Sequence, residues 1–80
     1  MTTTIRIDND TWRARLGAGE RPGYRSVIFF CSSNGQRPWR VVEVPEDRFG
    51  SQEQLERVSE VDLRELYAGT VSMGAPRTFG

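Results

Sequence analysis

Apolar positions along the chain fall into runs of period two in its first half and into helical spacing in its second. Tyr24-Arg25-Ser26-Val27-Ile28-Phe29-Phe30-Cys31 and Trp39-Arg40-Val41-Val42-Glu43-Val44 are rich in β-branched and aromatic residues, which suit a pleated, half-buried surface. Between them, Asn34-Gly35 tolerates the positive φ of a tight turn, so the two runs predict a β-hairpin. A two-residue loop at Asn34-Gly35 would set Phe29 against Arg40 but leave Pro38 at a position that requires an N–H, which proline lacks. A four-residue loop, Ser33 to Gln36, keeps those partners and removes the conflict, and it is the expected form, with an edge strand as the alternative. In this register Ile28, Phe30, Trp39 and Val41 share one face and Val27, Phe29, Cys31, Val42 and Val44 the other. Both faces are apolar, so each calls for a cover.

A second hairpin is predicted upstream. Thr3-Thr4-Ile5-Arg6-Ile7 and Thr11-Trp12-Arg13-Ala14-Arg15-Leu16 alternate around Asp8-Asn9-Asp10, residue types that tolerate left-handed turns. With Asn9-Asp10 at the tip, Ile7 faces Trp12 and Ile5 faces Ala14 on an apolar side. The other side then sets Arg6 opposite Arg13, a destabilising like-charge pair. Gly17 to Gly23 reads as a flexible connector, without the spacing of a dinucleotide or phosphate loop.

Beyond the turn Pro45-Glu46-Asp47, two N-cap signals appear. Ser51 with Gln54 forms a capping box, and Ser59 with Asp62 a looser one, with Val58 and Leu63 placed as a hydrophobic staple. A turn of helix near 52–57 and a firmer helix near Glu60–Ala68 follow, fused or separate, the second ending at Gly69 in a left-handed cap. Leu63, Leu66 and Tyr67 share its apolar face. Residues 70–73 extend briefly and 74–80 form a loose tail. The expected fold is therefore α+β: a four-stranded antiparallel meander of two hairpins, then a C-terminal helix packed on one face, within a single small domain ordered over about residues 3–69.

Length sharpens this picture. A chain of 80 residues buries only about 60% of its unfolded surface, so a partner chain would relieve a modest core. The single cysteine precludes an internal disulfide, and its apolar strand suggests a buried thiol in a cytoplasmic protein. No apolar run reaches the ~20 residues of a membrane span, and the polar Met1-Thr2-Thr3-Thr4 start lacks signal-peptide character.

Charge is uneven. Lysine is absent, and residues 1–42 carry seven arginines against three acids, whereas 43–80 carry four against eight. A basic sheet half and an acidic helical half can attract each other within a chain or between chains. Histidine is absent too, which removes the usual general base and most zinc sites. Asp8-Asn9-Asp10 shares the opening of a calcium loop, but Trp12 stands where the next oxygen ligand belongs and no glycine follows. The acids Glu53, Glu56, Glu60 and Glu65 read as a solvated helix face. No enzymatic activity, cofactor or metal is expected, and no motif is diagnostic of a family.

Two functions fit these residues. The first is a protein-interaction module that self-associates as a homodimer through Val27, Phe29, Val42 and Val44. The second is a nucleic-acid binder using Arg6, Arg13, Arg15, Trp12, Trp39 and Arg40, disfavoured by neutral net charge. Arg6, Arg13 or Arg15 is expected to pair with an acid from Glu43 to Glu65, in the same or a neighbouring chain.

Overall fold

The structure, a computed structural model, describes residues 4–72. Its elements are β1 (Thr4–Ile7), β2 (Asp10–Ala18), β3 (Tyr24–Cys31), β4 (Arg40–Pro45), α1 (Gln52–Glu56), α2 (Glu60–Ala68) and β5 (Val71–Ser72). The strands form one antiparallel sheet in the order β1-β2-β3-β4-β5. The α+β class and the meander stand, with five strands in place of four. The helices are not C-terminal; they lie between β4 and β5, and the chain returns to the sheet edge. Of residues 70–73, expected to extend briefly beyond the ordered core, Val71 and Ser72 join the sheet, and Arg40 holds Thr70 just before them. Its Nε donates to Thr70 Oγ1 at 2.8 Å and its Nη2 to the Thr70 carbonyl at 3.1 Å, a two-pronged contact that the planar guanidinium favours. The tail expected over 74–80 lies outside the described residues.

The first hairpin turns at Asp8-Asn9, both with positive φ (50° and 70°), in the two-residue form that matches strand twist. The tip is one residue earlier than expected, so Ile5 pairs with Trp12 and Ile7 with Asp10. This shift preserves the apolar face and frees Asp10 to meet Arg37 at 2.8 Å. It also dissolves the predicted charge clash, because Arg6 lies opposite Thr11 and Arg13 opposite Thr4.

The β3–β4 register is the expected one, Phe29 with Arg40 and Ile28 with Val41. Its connection differs. The ladder opens after Phe29–Arg40, and the eight residues Ser32 to Trp39 form the loop, which leaves Pro38 outside the ladder and removes its missing N–H from the account. Inside the loop, Asn34 organises a turn: its carbonyl accepts from Arg37 N at 3.2 Å and its side chain from Gln36 N at 3.0 Å. The connector from β2 to β3 is shorter than expected, since β2 continues to Ala18.

The helices remain separate. Ser51 Oγ accepts from Gln54 N and Ser59 Oγ from Asp62 N, so each N-cap signal starts its own helix. Gln54 completes the first box by accepting from Gly50 N rather than Ser51 N. Between the helices, Arg57 N and Val58 N bond three residues back, the tightened turn that ends α1. Gly69 closes α2 with φ −90° and not with a left-handed cap, because Gly69 N and Thr70 N already bond the Leu66 and Tyr67 carbonyls.

Leu55, Leu63 and Leu66 from the helices, with Phe49, pack on Ile5, Trp12, Ala14, Val27, Phe29, Cys31 and Val44. Tyr67 sits edge-on to Trp12 and Phe29, with centroids 5.2 and 5.5 Å away, a geometry the ring quadrupoles favour. Phe30 and Val41 point the other way. The protein is a two-layer slab, 34 × 30 × 17 Å, with its core on one side of the sheet.

Candidate functional site

Strand side chains alternate between faces, and the helices cover one face only. The other face carries Arg6 of β1, Arg13 and Arg15 of β2, Ile28 and Phe30 of β3, and Val41 and Glu43 of β4, as the pairing register dictates. Ile28, Phe30 and Val41 are half-buried, while Trp39 and Val71 are 53% and 65% exposed. Trp39 leaves the β4 ladder and tilts onto Phe30, with ring centroids 5.8 Å apart and planes at 42°. Ile28 leans over Gly17, where an added Cβ would stand 3.3 Å from its Cδ1. An apolar stripe thus crosses the centre of a sheet face that the described residues leave uncovered.

Charge flanks the stripe asymmetrically. On the β1–β2 side stand Arg6, Arg13 and Arg15, all exposed. None has an acid partner among the described residues, whose ion pairs are Arg21–Glu43, Arg37–Asp10 and Arg64–Glu60. The expected pairing with the chain's own acids is therefore not formed there. Strand alternation points these arginines away from the helix layer, although Glu56 of α1 lines a cleft of about 350 Å³ with Arg13, Arg15, Phe30 and Gln52 without forming an ion pair to them.

On the β4 side stands Glu43, the first of the acids expected to meet those arginines, which meets Arg21 instead. Its Oε2 accepts from Glu20 N at 3.0 Å and Ser26 Oγ at 3.1 Å, and Arg21 Nε lies 3.8 Å from Oε1. Glu43 thereby ties the β2–β3 connection to β4. Two shallow grooves follow the stripe, one of about 170 Å³ lined by Arg15, Ile28, Phe30 and Trp39, the other of about 420 Å³ reaching from Ile28 and Val41 to Glu43.

The ten singled-out residues divide between the faces. Arg6, Arg13, Arg15 and Trp39 gather on the open one. Trp12 is 4% exposed in the core, and Arg40 lies on the covered side with its guanidinium 5.3 Å from the Tyr67 ring centroid. Val27, Phe29, Val42 and Val44 face the helices, Val27 and Phe29 with no exposure at all, so the apolar surface left for another molecule belongs to Ile28, Phe30, Trp39, Val41 and Val71. The signal that separates the two sets was present in β2: Arg13 and Arg15 pair with Phe30 and Ile28, and two arginines without acids do not fit beneath a helix.

Cys31 is free and buried, its Sγ 3.5 Å from Ser33 Oγ. No helix among the described residues is long and apolar enough to cross a membrane. Comparisons with protein-family models, curated proteins and solved structures give no match.

Proposed function

We propose that this chain is a small non-enzymatic interaction module, acting in the cytoplasm, that self-associates through its open sheet face. One observation carries this reading: an apolar stripe, Ile28, Phe30, Trp39, Val41 and Val71, crosses a sheet face that no element among the described residues covers. Contiguous apolar surface of this kind marks contact sites, and burying it contributes roughly 25 cal/mol per Å². Light scattering across a concentration series tests the proposal. The expected mass rises from monomer to dimer, and Phe30→Glu, which alters no core residue, holds the protein as a folded monomer. A wild type that stays monomeric at millimolar concentration would sink the reading.

A second reading has its own observation. The exposed Trp39 ring, backed by Phe30, stands beside Arg13 and Arg15, which lack acid partners among the described residues. Stacking on an aromatic ring beside arginines is how single-stranded nucleic acid binds without regard to sequence. The eleven acids that balance eleven arginines oppose it, because backbone affinity follows positive potential. Titrating a short single-stranded oligonucleotide while following tryptophan emission decides: quenching that vanishes in Trp39→Ala and weakens with salt would put this reading first.

A further inference from the structure

The self-association proposed above leaves open how two copies meet, and the charges on the face select one arrangement. Among the described residues the exposed large hydrophobics are Trp39, Val71 and Val61. The first two belong to the open face, and Val61 stands alone on α2. Among the described residues, the same face of a second copy is thus the surface that matches the stripe, and a patch that meets itself does so about a two-fold axis. The slab's broad side, 34 by 30 Å, is comparable with the about 800 Å² per partner that a standard interface buries.

For two sheets packed face to face, the two-fold lies in the plane between them, either across the strands or along them. An axis across the strands lays each strand over its own copy. Arg15 would then meet Arg15 and Arg13 would meet β2 again, with no acid from that strand on the face. An axis along β3 exchanges the two sides, so that β2 lies over β4, which offers Val41 and Glu43 there and no arginine. Like charges brought together as water leaves the contact are unfavourable, and opposite charges fix the register of association.

We infer that the homodimer packs its open faces about a two-fold running along β3, so that Arg15 of each copy lies over Val41 and Glu43 of the other. Arg15, Ile28 and Val41 stand level across the sheet, Arg15 pairing with Ile28 and Ile28 with Val41. With the axis on β3, Ile28 and Phe30 meet their own copies at the centre, and Arg15 crosses to Val41. Glu43 follows two residues further along the same face, within reach of an arginine once twist rotates the sheets by about 30°.

Cysteine pairing tests the axis in the full-length protein. Arg15→Cys and Val41→Cys are changes on the open face, and Cys31 is buried, so the wild type serves as the unlinked control. Under mild oxidation each variant alone is expected to give little disulfide dimer, and an equimolar mixture to give the mixed disulfide as the main product. Arg15→Cys linking to itself faster than to Val41→Cys would overturn the axis, as would a dimer by light scattering that forms no mixed link. A monomer at every concentration would instead defeat the self-association reading, and the axis with it. Arg15→Glu gives an independent measure. Set over Glu43 it is expected to weaken the dimer about tenfold at low salt and less at high salt; unchanged affinity at low salt would count against the arrangement.

Discussion

Leu16 donates its backbone amide to the side-chain carbonyl of Gln52 at 2.7 Å, in the position where the carbonyl of a neighbouring strand would stand. The Gln52 amide nitrogen lies 3.5 Å from the Ala14 carbonyl, so one side chain meets an edge donor and an edge acceptor. Among the described residues, β1 pairs with β2 as far as Thr4–Arg13, and Leu16 lies beyond that ladder. An unpaired strand edge invites other chains, and here the start of α1 blunts it.

Gln52→Leu is therefore expected to destabilise the fold by about 1–2 kcal/mol, since the part-buried Leu16 N–H loses its partner without gaining another. The measurement is a urea midpoint that falls while the slope stays constant. A slope that changed as well would signal a different denatured state and not a lost bond.

The grip of Arg40 on Thr70 makes the fifth strand depend on a guanidinium. Arg40→Lys keeps the charge but cannot donate in fork geometry, and it is expected to lower stability by about 1 kcal/mol. Hydrogen exchange should show faster exchange at Val71 and Ser72 than in the wild type, with β2 and β3 little altered. Equal acceleration across all strands would mean that β5 is no separate unit.

Leu63 is 1% exposed and Val61, two residues away, 66%. Leu63→Ala should remove about 2–5 kcal/mol, whereas Val61→Ser should stay within about 0.5 kcal/mol. Both numbers come from one denaturation series. Similar losses at the two sites would overturn the orientation assigned to α2.

Asn9 holds φ 70° at the tip of the first hairpin. Asn9→Ala is expected to cost about 1 kcal/mol, because alanine enters the left-handed region unwillingly, and Asn9→Gly to be neutral or stabilising. Reversal of that order in thermal melts would place the turn elsewhere.

Much of this fold was legible from local pattern. Period-two alternation placed β1 to β4, and Ser51 and Ser59 placed both helix starts, since caps and strand faces depend on near neighbours. What the pattern could not carry was long-range. The brief extension over 70–73 was readable, but not its place in the sheet, where Arg40 holds Thr70, thirty residues on. Gln52 reads as an ordinary helix residue, since nothing local marks it as the partner of the Leu16 amide. The turn moved by one residue because Asp8 and Asp10 are equally acceptable beside Asn9 at a tip, and in the register adopted Ile5 pairs with Trp12. The open face was the hardest to place. Two apolar faces were visible in the β3–β4 hairpin, but which one the helices take depends on the arginines of the adjacent strand.

The open-face residues Arg13 and Arg15 of β2 and Ile28 and Phe30 of β3 stand between inward residues of their own strands: Arg13 and Arg15 between Trp12, Ala14 and Leu16, Ile28 between Val27 and Phe29, and Phe30 between Phe29 and Cys31. The backbone beneath the recognition surface is thus fastened from behind, by side chains that another molecule never touches. Substitutions at these outward positions leave the inward packing intact. Two descendants of this chain could come to recognise different molecules while sharing an unaltered interior, and an engineer could rewrite Arg13, Arg15, Ile28 and Phe30 as a block without redesigning the protein that displays them.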